Sequence, residues 1–189
     1  MRIAVIGAGN IGGTLGDKWA RAGQQVVYGL RDPSKRAGSQ PIPRALAAAE
    51  VVLLALPGAA VVDFVREQAA LLDGKTVIDA TNNFRAPATN SFPQLTEAIP
   101  KACLFRAFNT LGFDIFQAPI VGGEKADLFY CGPDGPAQET VERLIADVGL
   151  RPIRVGGADQ ASTVDGVLRL WYTLSQTHGR RIAFKLLAD

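Results

Sequence analysis

Histidine is almost absent from this chain: His178 is the single one in 189 residues. Imidazole is the usual acid and base near neutral pH, and neither a Ser-His-Asp set nor a Lys-Asn catalytic pair is legible. His178 follows Trp171 by seven residues, continuing an apolar helical stripe, so packing is its plain role and general-acid work the minor alternative. No catalytic residue is assigned. Cysteine is also scarce. Cys103 and Cys131 lack metal-ligand spacing and are expected to be small buried apolar residues in a reducing compartment, with a regulatory thiol as the alternative. The longest apolar stretch, Val51 to Val62, is broken at Pro57-Gly58 and is too short to span a bilayer. Charge of one sign is missing too: the net charge is +2 with no long basic run, which gives nucleic-acid binding little support. Met1-Arg2 followed by apolar residues imitates the start of a secretion signal, but the glycines that follow explain it better as a first strand. A cytoplasmic protein without membrane or nucleic-acid partners is expected. Hydrophobic content of 48% and charged content of 20% fit one well-filled globular core with a small appended element.

What is present is concentrated in the first 35 residues. Arg2 to Ile6 predicts a buried strand, Gly7-Ala8-Gly9-Asn10-Ile11-Gly12 a glycine turn opening a helix, and Gln25 to Gly29 a second strand. A lone G-x-G-x-x-G is weak, but strand, turn, helix and strand stand here at dinucleotide-binding distances. Gly7 permits the tight turn, Gly9 lets the backbone approach a pyrophosphate, and Gly12 allows close helix packing. Free N–H groups at Asn10 and Ile11, with the helix dipole, attract phosphate.

A carboxylate is missing where an NAD site places one, about 20 residues past the glycines, to accept from the ribose 2′-hydroxyl. That region reads Tyr28-Gly29-Leu30-Arg31, followed by Asp32-Pro33-Ser34-Lys35. Arg31 can fork onto a 2′-phosphate and stack on adenine, Ser34 can donate a hydroxyl, and Lys35 adds a point charge. From 31 to 44 the cations are Arg31, Lys35, Arg36 and Arg44 against the one acid Asp32, which favours NADP(H). Solvated cations around a plain turn, or Asp32 holding the ribose of NAD, are the alternatives.

Further on, the pattern predicts a helix from Asn10 to Ala22, a short edge strand near Gln40 to Ile42, a helical turn from Arg44 to Ala49 and a strand from Val51 to Leu56. A helix from Ala59 to Leu72, a strand from Thr76 to Ala80, a short helix from Ser91 to Ile99 and a strand from Leu104 to Phe108 follow. Leu128 to Cys131, a helix from Pro136 to Val148 and a strand from Arg151 to Val155 complete the alternation. From Ala161 a helical stripe runs through Val164, Val167, Leu168, Trp171 and Leu174. Gly179 interrupts it, and Ile182, Phe184, Leu186 and Leu187 form a short tail. Trp171 is expected in the core or an interface. The fold class is α/β: a doubly wound, mostly parallel sheet, a Rossmann NADP-binding domain over 1–157, with late antiparallel strands and a C-terminal helical extension over 158–189. That extension is expected to pack on the domain or on a second subunit.

In such sheets ligands lie beyond the carboxyl ends of the strands, at the reversal of strand order. Leu56, Pro57 and Gly58 then stand beside the glycine turn, where Leu56 and Pro57 can support a nicotinamide ring. Asn82, Phe108, Asn109 and Thr110 share the rim as candidate substrate contacts. Each Asn can bond a carboxamide, a ribose or an incoming ring, or simply serve its own turn.

These residues resemble the NADPH-dependent coenzyme F420 reductases, the F420-dependent NADP oxidoreductase family. The likeness rests on Met1 to Gly7 with the glycine fingerprint, Gly29-Leu30-Arg31, Leu54 to Pro57, Ala107 to Leu111, Lys125 to Gly132, and Gly179 to Leu187. The resemblance implies hydride exchange between nicotinamide C4 and C5 of a deazaflavin. It matches Arg31, Ser34 and Lys35 to 2′-phosphate binders, Gly7, Gly9, Asn10 and Ile11 to the phosphate loop, and Leu56 and Pro57 to nicotinamide support. The middle and terminal motifs also resemble cytosolic domains of metalloreductases that pass NADPH electrons to flavin. The span Asp32 to Glu50 is shorter than the family's, which exposes the adenine side, and Asp165 stands where a Glu is common. The expectation is an NADP(H)-dependent oxidoreductase, a homodimer, whose small-molecule redox acceptor is F420 or flavin. Roughly 30 C-terminal residues are too few for the helical domain with which imine and hydroxyacid reductases enclose small substrates. A reductase of a small carbonyl or imine and a non-catalytic NADP(H) sensor are the alternatives.

Overall fold

The computed structural model describes residues 1–188. Its first half runs β1 (Arg2–Ile6), α1 (Asn10–Arg21), β2 (Gln25–Leu30), β3 (Gln40–Pro41), α2 (Ile42–Ala48), β4 (Val51–Leu54), α3 (Val61–Glu67), α4 (Ala69–Leu72) and β5 (Thr76–Asp79). The second half runs α5 (Phe92–Ala98), β6 (Cys103–Arg106), α6 (Phe113–Gln117), β7 (Ile120–Val121), β8 (Glu124–Lys125), β9 (Asp127–Cys131), α7 (Pro136–Asp147), β10 (Arg151–Gly156) and α8 (Ala161–His178). Eight strands make one sheet in the order β10-β9-β6-β5-β4-β1-β2-β3. The β6–β9 pair, through Arg106 and Cys131, is antiparallel, and the other pairings in that sheet are parallel. Strand order reverses between β1 and β4, so α1 and α3 leave on opposite faces and open a crevice at the carboxyl rim.

Side chains alternate across the sheet with period two. Ile3 and Val5 face one core with Leu15, Trp19, Phe116, Leu144 and Trp171. Ala4 and Ile6 face the other with Leu46, Phe64, Val65, Phe92 and Val164. Thus α8 serves both cores, Val164 in one and Trp171 in the other. Trp19 Nε1 donates to the Leu144 carbonyl at 2.9 Å, fastening α1 to α7 beneath the sheet.

The doubly wound parallel sheet stands as the sequence pattern requires. Several details depart from it. The helix expected from Ala59 to Leu72 is broken at Gln68 into α3 and α4, after a 3₁₀ turn at Gly58–Ala60. The elements α6, β7 and β8 were not foreseen; Gly122 and Gly123, with φ of 60° and 85°, close a tight hairpin. Cys131 is buried as expected, and burial pushes its thiol up to about 11. Cys103 is exposed instead, because β6 begins with it at the amino edge of the sheet. His178 is also exposed: it is the last residue of α8, beyond the stretch that Trp171 buries.

After Gly179 the chain runs back without helix. Trp171 Nε1 donates to the Ile182 carbonyl at 3.0 Å, and the Leu186 N–H donates to Asp127 Oδ2 at 2.6 Å. Ile182 and Phe184 pack on the core, while Leu186 and Leu187 remain exposed. No described helix is long and apolar enough to cross a membrane.

A candidate dinucleotide site at the carboxyl rim

The glycines divide into two physical kinds. Gly7 has φ of 100°, and a Cβ there would collide with the Ala55 carbonyl oxygen. A Cβ on Gly12 would strike the Gly7 carbonyl oxygen. These two shape the turn and seat α1 against it. Gly9 caps α1 and would meet no protein atom within 4 Å if it carried a Cβ. Asn10 and Ile11 begin the first turn of α1, where N–H groups lack helical acceptors and no acidic side chain competes for an anion.

At the tip of β2, Arg31 is exposed, and among the described residues neither it nor Lys35 has a carboxylate partner. Asp32 caps the 3₁₀ turn Pro33–Lys35: its Oδ1 accepts from the Ser34 hydroxyl at 2.6 Å and the Ser34 N–H at 3.1 Å. Those bonds hold the Asp32 carboxyl below its ordinary range and occupy the Ser34 hydroxyl. Arg36 turns away from the tip. Its guanidinium lies 3.8 Å from the Tyr28 ring centroid and pairs with Asp17 of α1, which also accepts from the Tyr28 hydroxyl at 2.8 Å. Of the cations at 31 to 36, Arg31 and Lys35 are therefore free, and Arg36 ties the turn to α1.

Leu30 and Arg31 also edge a groove of about 490 Å³, walled by Pro41, Ile42, Phe64 and Gln68. That volume lies within the range of small-molecule sites, ~300–1,000 Å³.

Across the crevice, Gly58 is buried against the backbone of Asn82, which a Cβ would hit. This contact joins Leu56, Pro57 and Gly58 after β4 to the loop after β5. Beneath them lies a charged cluster that sequence reasoning missed. Arg106, fully buried at the end of β6, donates through Nε to Asp165 Oδ1 at 2.7 Å and through Nη1 to Asp79 Oδ2 at 2.9 Å. It also donates to the Thr81 carbonyl and to Asn82 Oδ1, each at 3.0 Å. Burial raises the Asp79 pKa and outweighs the lowering pull of the Arg106 guanidinium and of the Thr81 hydrogen bonds. A signal was available: Asp79 and Arg106 are register partners on neighbouring strands, each a charge in an apolar run.

The remaining rim residues turn inward. Phe108 adopts φ of 66° and is buried between Trp19 and Phe116, with ring centroids 5.7 Å from each. Asn109 and Thr110 are buried as well. Asn109 Nδ2 donates to the Thr81 carbonyl at 3.2 Å, and neither Asn109 Oδ1 nor Thr110 Oγ1 has a partner. Of the four candidate substrate contacts, the structure brings Asn82 to the crevice surface and places Phe108, Asn109 and Thr110 behind it. A left-handed backbone torsion and two unpartnered buried polar atoms thus fall in three consecutive residues.

Known proteins share this architecture. A protein of Arthrobacter sp. FB24 proposed to be an F420-dependent NADP-reductase superposes with a TM-score of 0.86 and 25% identity, over 100% of both chains. The metalloreductase STEAP3 of Rattus norvegicus is 25% identical over 89% of this chain and 37% of its own. A reductive aminase of Aspergillus terreus, solved with NADPH and ethyl levulinate, shares the fold at TM-score 0.71 and 20% identity, over 94% of this chain and 62% of that one. The chain spans only about a third of the length of its curated relatives, 35% and 37% for two of them. Residues 2–83 match the family described as NADP oxidoreductase, coenzyme F420-dependent.

Proposed function

We propose that this chain binds NADP(H) along the carboxyl rim and passes a hydride between the nicotinamide and a planar redox ring, deazaflavin F420 or flavin. The observation that carries the reading is the pair of unpaired cations, Arg31 and Lys35, at the β2 tip where a ribose-binding carboxylate would stand. Arg31 forks onto the 2′-phosphate and covers adenine in the groove above Phe64. Gly9, Asn10 and Ile11 receive the pyrophosphate at the amino end of α1. Leu56, Pro57 and Gly58 support the nicotinamide, and Asn82 borders the acceptor side. NADPH supplies the hydride itself. The chain contributes alignment and exclusion of water, which two rings exchanging hydride need more than a strong acid.

An open rim suits a flat ring delivered on a bulky carrier. A second copy of the chain is part of the proposal: Phe84, Leu170 and Tyr172 are exposed, with the Phe84 and Tyr172 rings 5.7 Å apart, and a homodimer would cover them. A cytoplasmic location, with both cysteines kept as thiols, completes the reading. Stopped-flow oxidation of NADPH against deazaflavin, flavin and small-carbonyl acceptors tests it. Fast turnover is expected with a ring acceptor. Turnover confined to small carbonyls, or none despite tight binding, would replace the reading.

A further inference from the structure

Asn82 Oδ1 accepts two hydrogen bonds, from Arg106 Nη2 at 3.0 Å and Asn109 Nδ2 at 3.3 Å. Both donors are fixed. Arg106 is always charged and locked by two carboxylates, and Asn109 is itself held to the Thr81 carbonyl. A flipped Asn82 amide would point its NH₂ at a guanidinium, so the orientation is set by chemistry. The Asn82 Nδ2 must then face the other way. Among the described residues it has no protein partner and is not among the buried unpartnered atoms, so it keeps access to solvent, in the loop whose backbone packs against Gly58.

We propose that Asn82, aimed by Arg106, is a fixed hydrogen-bond donor to a carbonyl oxygen conjugated with the acceptor's hydride-receiving atom. The proposal rests on the hydride-transfer reading above and adds the group that answers the charge that transfer creates. The hydride leaves nicotinamide C4 with its electron pair, and the dihydropyridine is oxidised to the pyridinium. The pair forms a C–H bond at C5 of a deazaflavin or an N–H bond at N5 of a flavin, and the displaced π electrons spread over the ring's conjugated carbonyl oxygen and nitrogen. The reduced ring's anion then takes a proton from water. An amide N–H held before the reaction begins stabilises the developing oxyanion without reorganising. Arg106 touches neither ring and is a positioning residue: it spends one N–H on Asn82 Oδ1 while Asp79 and Asp165 hold the guanidinium still. The class of acceptor is thereby narrowed to one carrying a carbonyl next to its reducible centre, as flavin and deazaflavin rings do.

The test uses two readouts. In ¹⁵N-labelled protein, the Asn82 side-chain NH₂ pair is assigned by its disappearance in Asn82→Asp. It should stay nearly still on addition of NADP⁺ and shift when 5-deazariboflavin or FMN is then added. In kinetics, Asn82→Ala and Asn82→Asp should each lower kcat about 10²- to 10³-fold, the usual cost of an oxyanion donor, with the NADPH dissociation constant changed less than about twofold. Asn82→Ser, which keeps a donor, should recover part of the rate. Arg106→Lys should cost about tenfold in kcat alone and nothing further in an Asn82→Ala background, since its effect passes through Asn82. Should Arg106→Lys fail to fold, the Asn82 variants still decide. An NH₂ pair that shifts fully with NADP⁺ alone, or Asn82→Ala at wild-type kcat, overturns the proposal. Wild-type NADPH oxidation, measured first, judges the functional reading separately, and the NMR shift does not depend on turnover.

Discussion

Arg106 and Asp165 meet at 2.7 Å across 59 residues of chain, joining the end of β6 to the first turns of α8. Asn90 Nδ2 braces the other Asp165 oxygen at 2.7 Å, and Asp79 shares the guanidinium. One cation thus serves two buried carboxylates. Arg106→Met would strand both, and breaking a buried pair this way costs about 3–5 kcal/mol. Asp165→Asn keeps the shape and leaves Arg106 paired with Asp79, so about 1 kcal/mol is expected. Urea unfolding of the two variants checks the order; equal losses would show that the cluster is not a unit built around Arg106.

The two kinds of glycine separate binding from folding. Gly9→Val places a side chain in open space, so the melting temperature should hold while NADPH binding is lost. Gly12→Ala collides with the Gly7 carbonyl and should lower the melting temperature before any ligand is added. Differential scanning calorimetry beside a nucleotide titration reads both. NADPH binding that survives Gly9→Val would remove the phosphates from this turn.

Asp127 anchors the returning C-terminal segment. Burial alone would raise its pKa, but the Arg151 fork, the Leu186 N–H and nearby Lys185 outweigh it and hold the carboxyl below its ordinary range. A depressed folded pKa gives stability that is full above the unfolded value, about 3.9, and is lost as pH falls through the folded one. Wild-type stability should therefore drop on acidification below about pH 4, with Leu186 amide protection lost in step. Asp127→Asn should be less stable at neutral pH and lack that part of the slope, which melts at graded pH would show.

Arg36 ties the 31–36 turn to α1 through Tyr28 and Asp17. Arg36→Ala removes its stacking on Tyr28 and its pair with Asp17, loosening the 31–36 turn. Affinity for NADPH should fall less than in Arg31→Ala, and Asp17→Asn should reproduce the loss. Isothermal titration of the three variants tests this; an Arg36→Ala loss larger than that of Arg31→Ala would exchange their roles.

Much of this was legible in the residues. Val51 to Leu54 and Thr76 to Asp79 announce parallel strands because both of their faces are covered. The glycine turn and the cationic β2 tip read directly because each position has one physical demand. The five residues of α6 and the two-residue strands β7 and β8 are too short to show any period. Cys103 and His178 were misplaced because each ends an element, where periodicity no longer says which way a side chain faces. Asn109 and Thr110 look like rim contacts in sequence; the left-handed turn at Phe108 rotates them inward, and no local pattern reports that torsion. Whether Ser34 serves a phosphate is also not a local matter, because Asp32 already holds its hydroxyl.

The account turns on whether Arg31 recognises a 2′-phosphate. Dissociation constants for NADPH and NADH, measured on the wild type and on Arg31→Ala, test it most directly. A charge-assisted fork of about 1.5–3 kcal/mol predicts that the wild type favours NADPH by about tenfold or more, and that Arg31→Ala loses most of this preference while NADH binding is unchanged. Equal affinity for the two nucleotides in the wild type, or an equal loss of both in the variant, would contradict it.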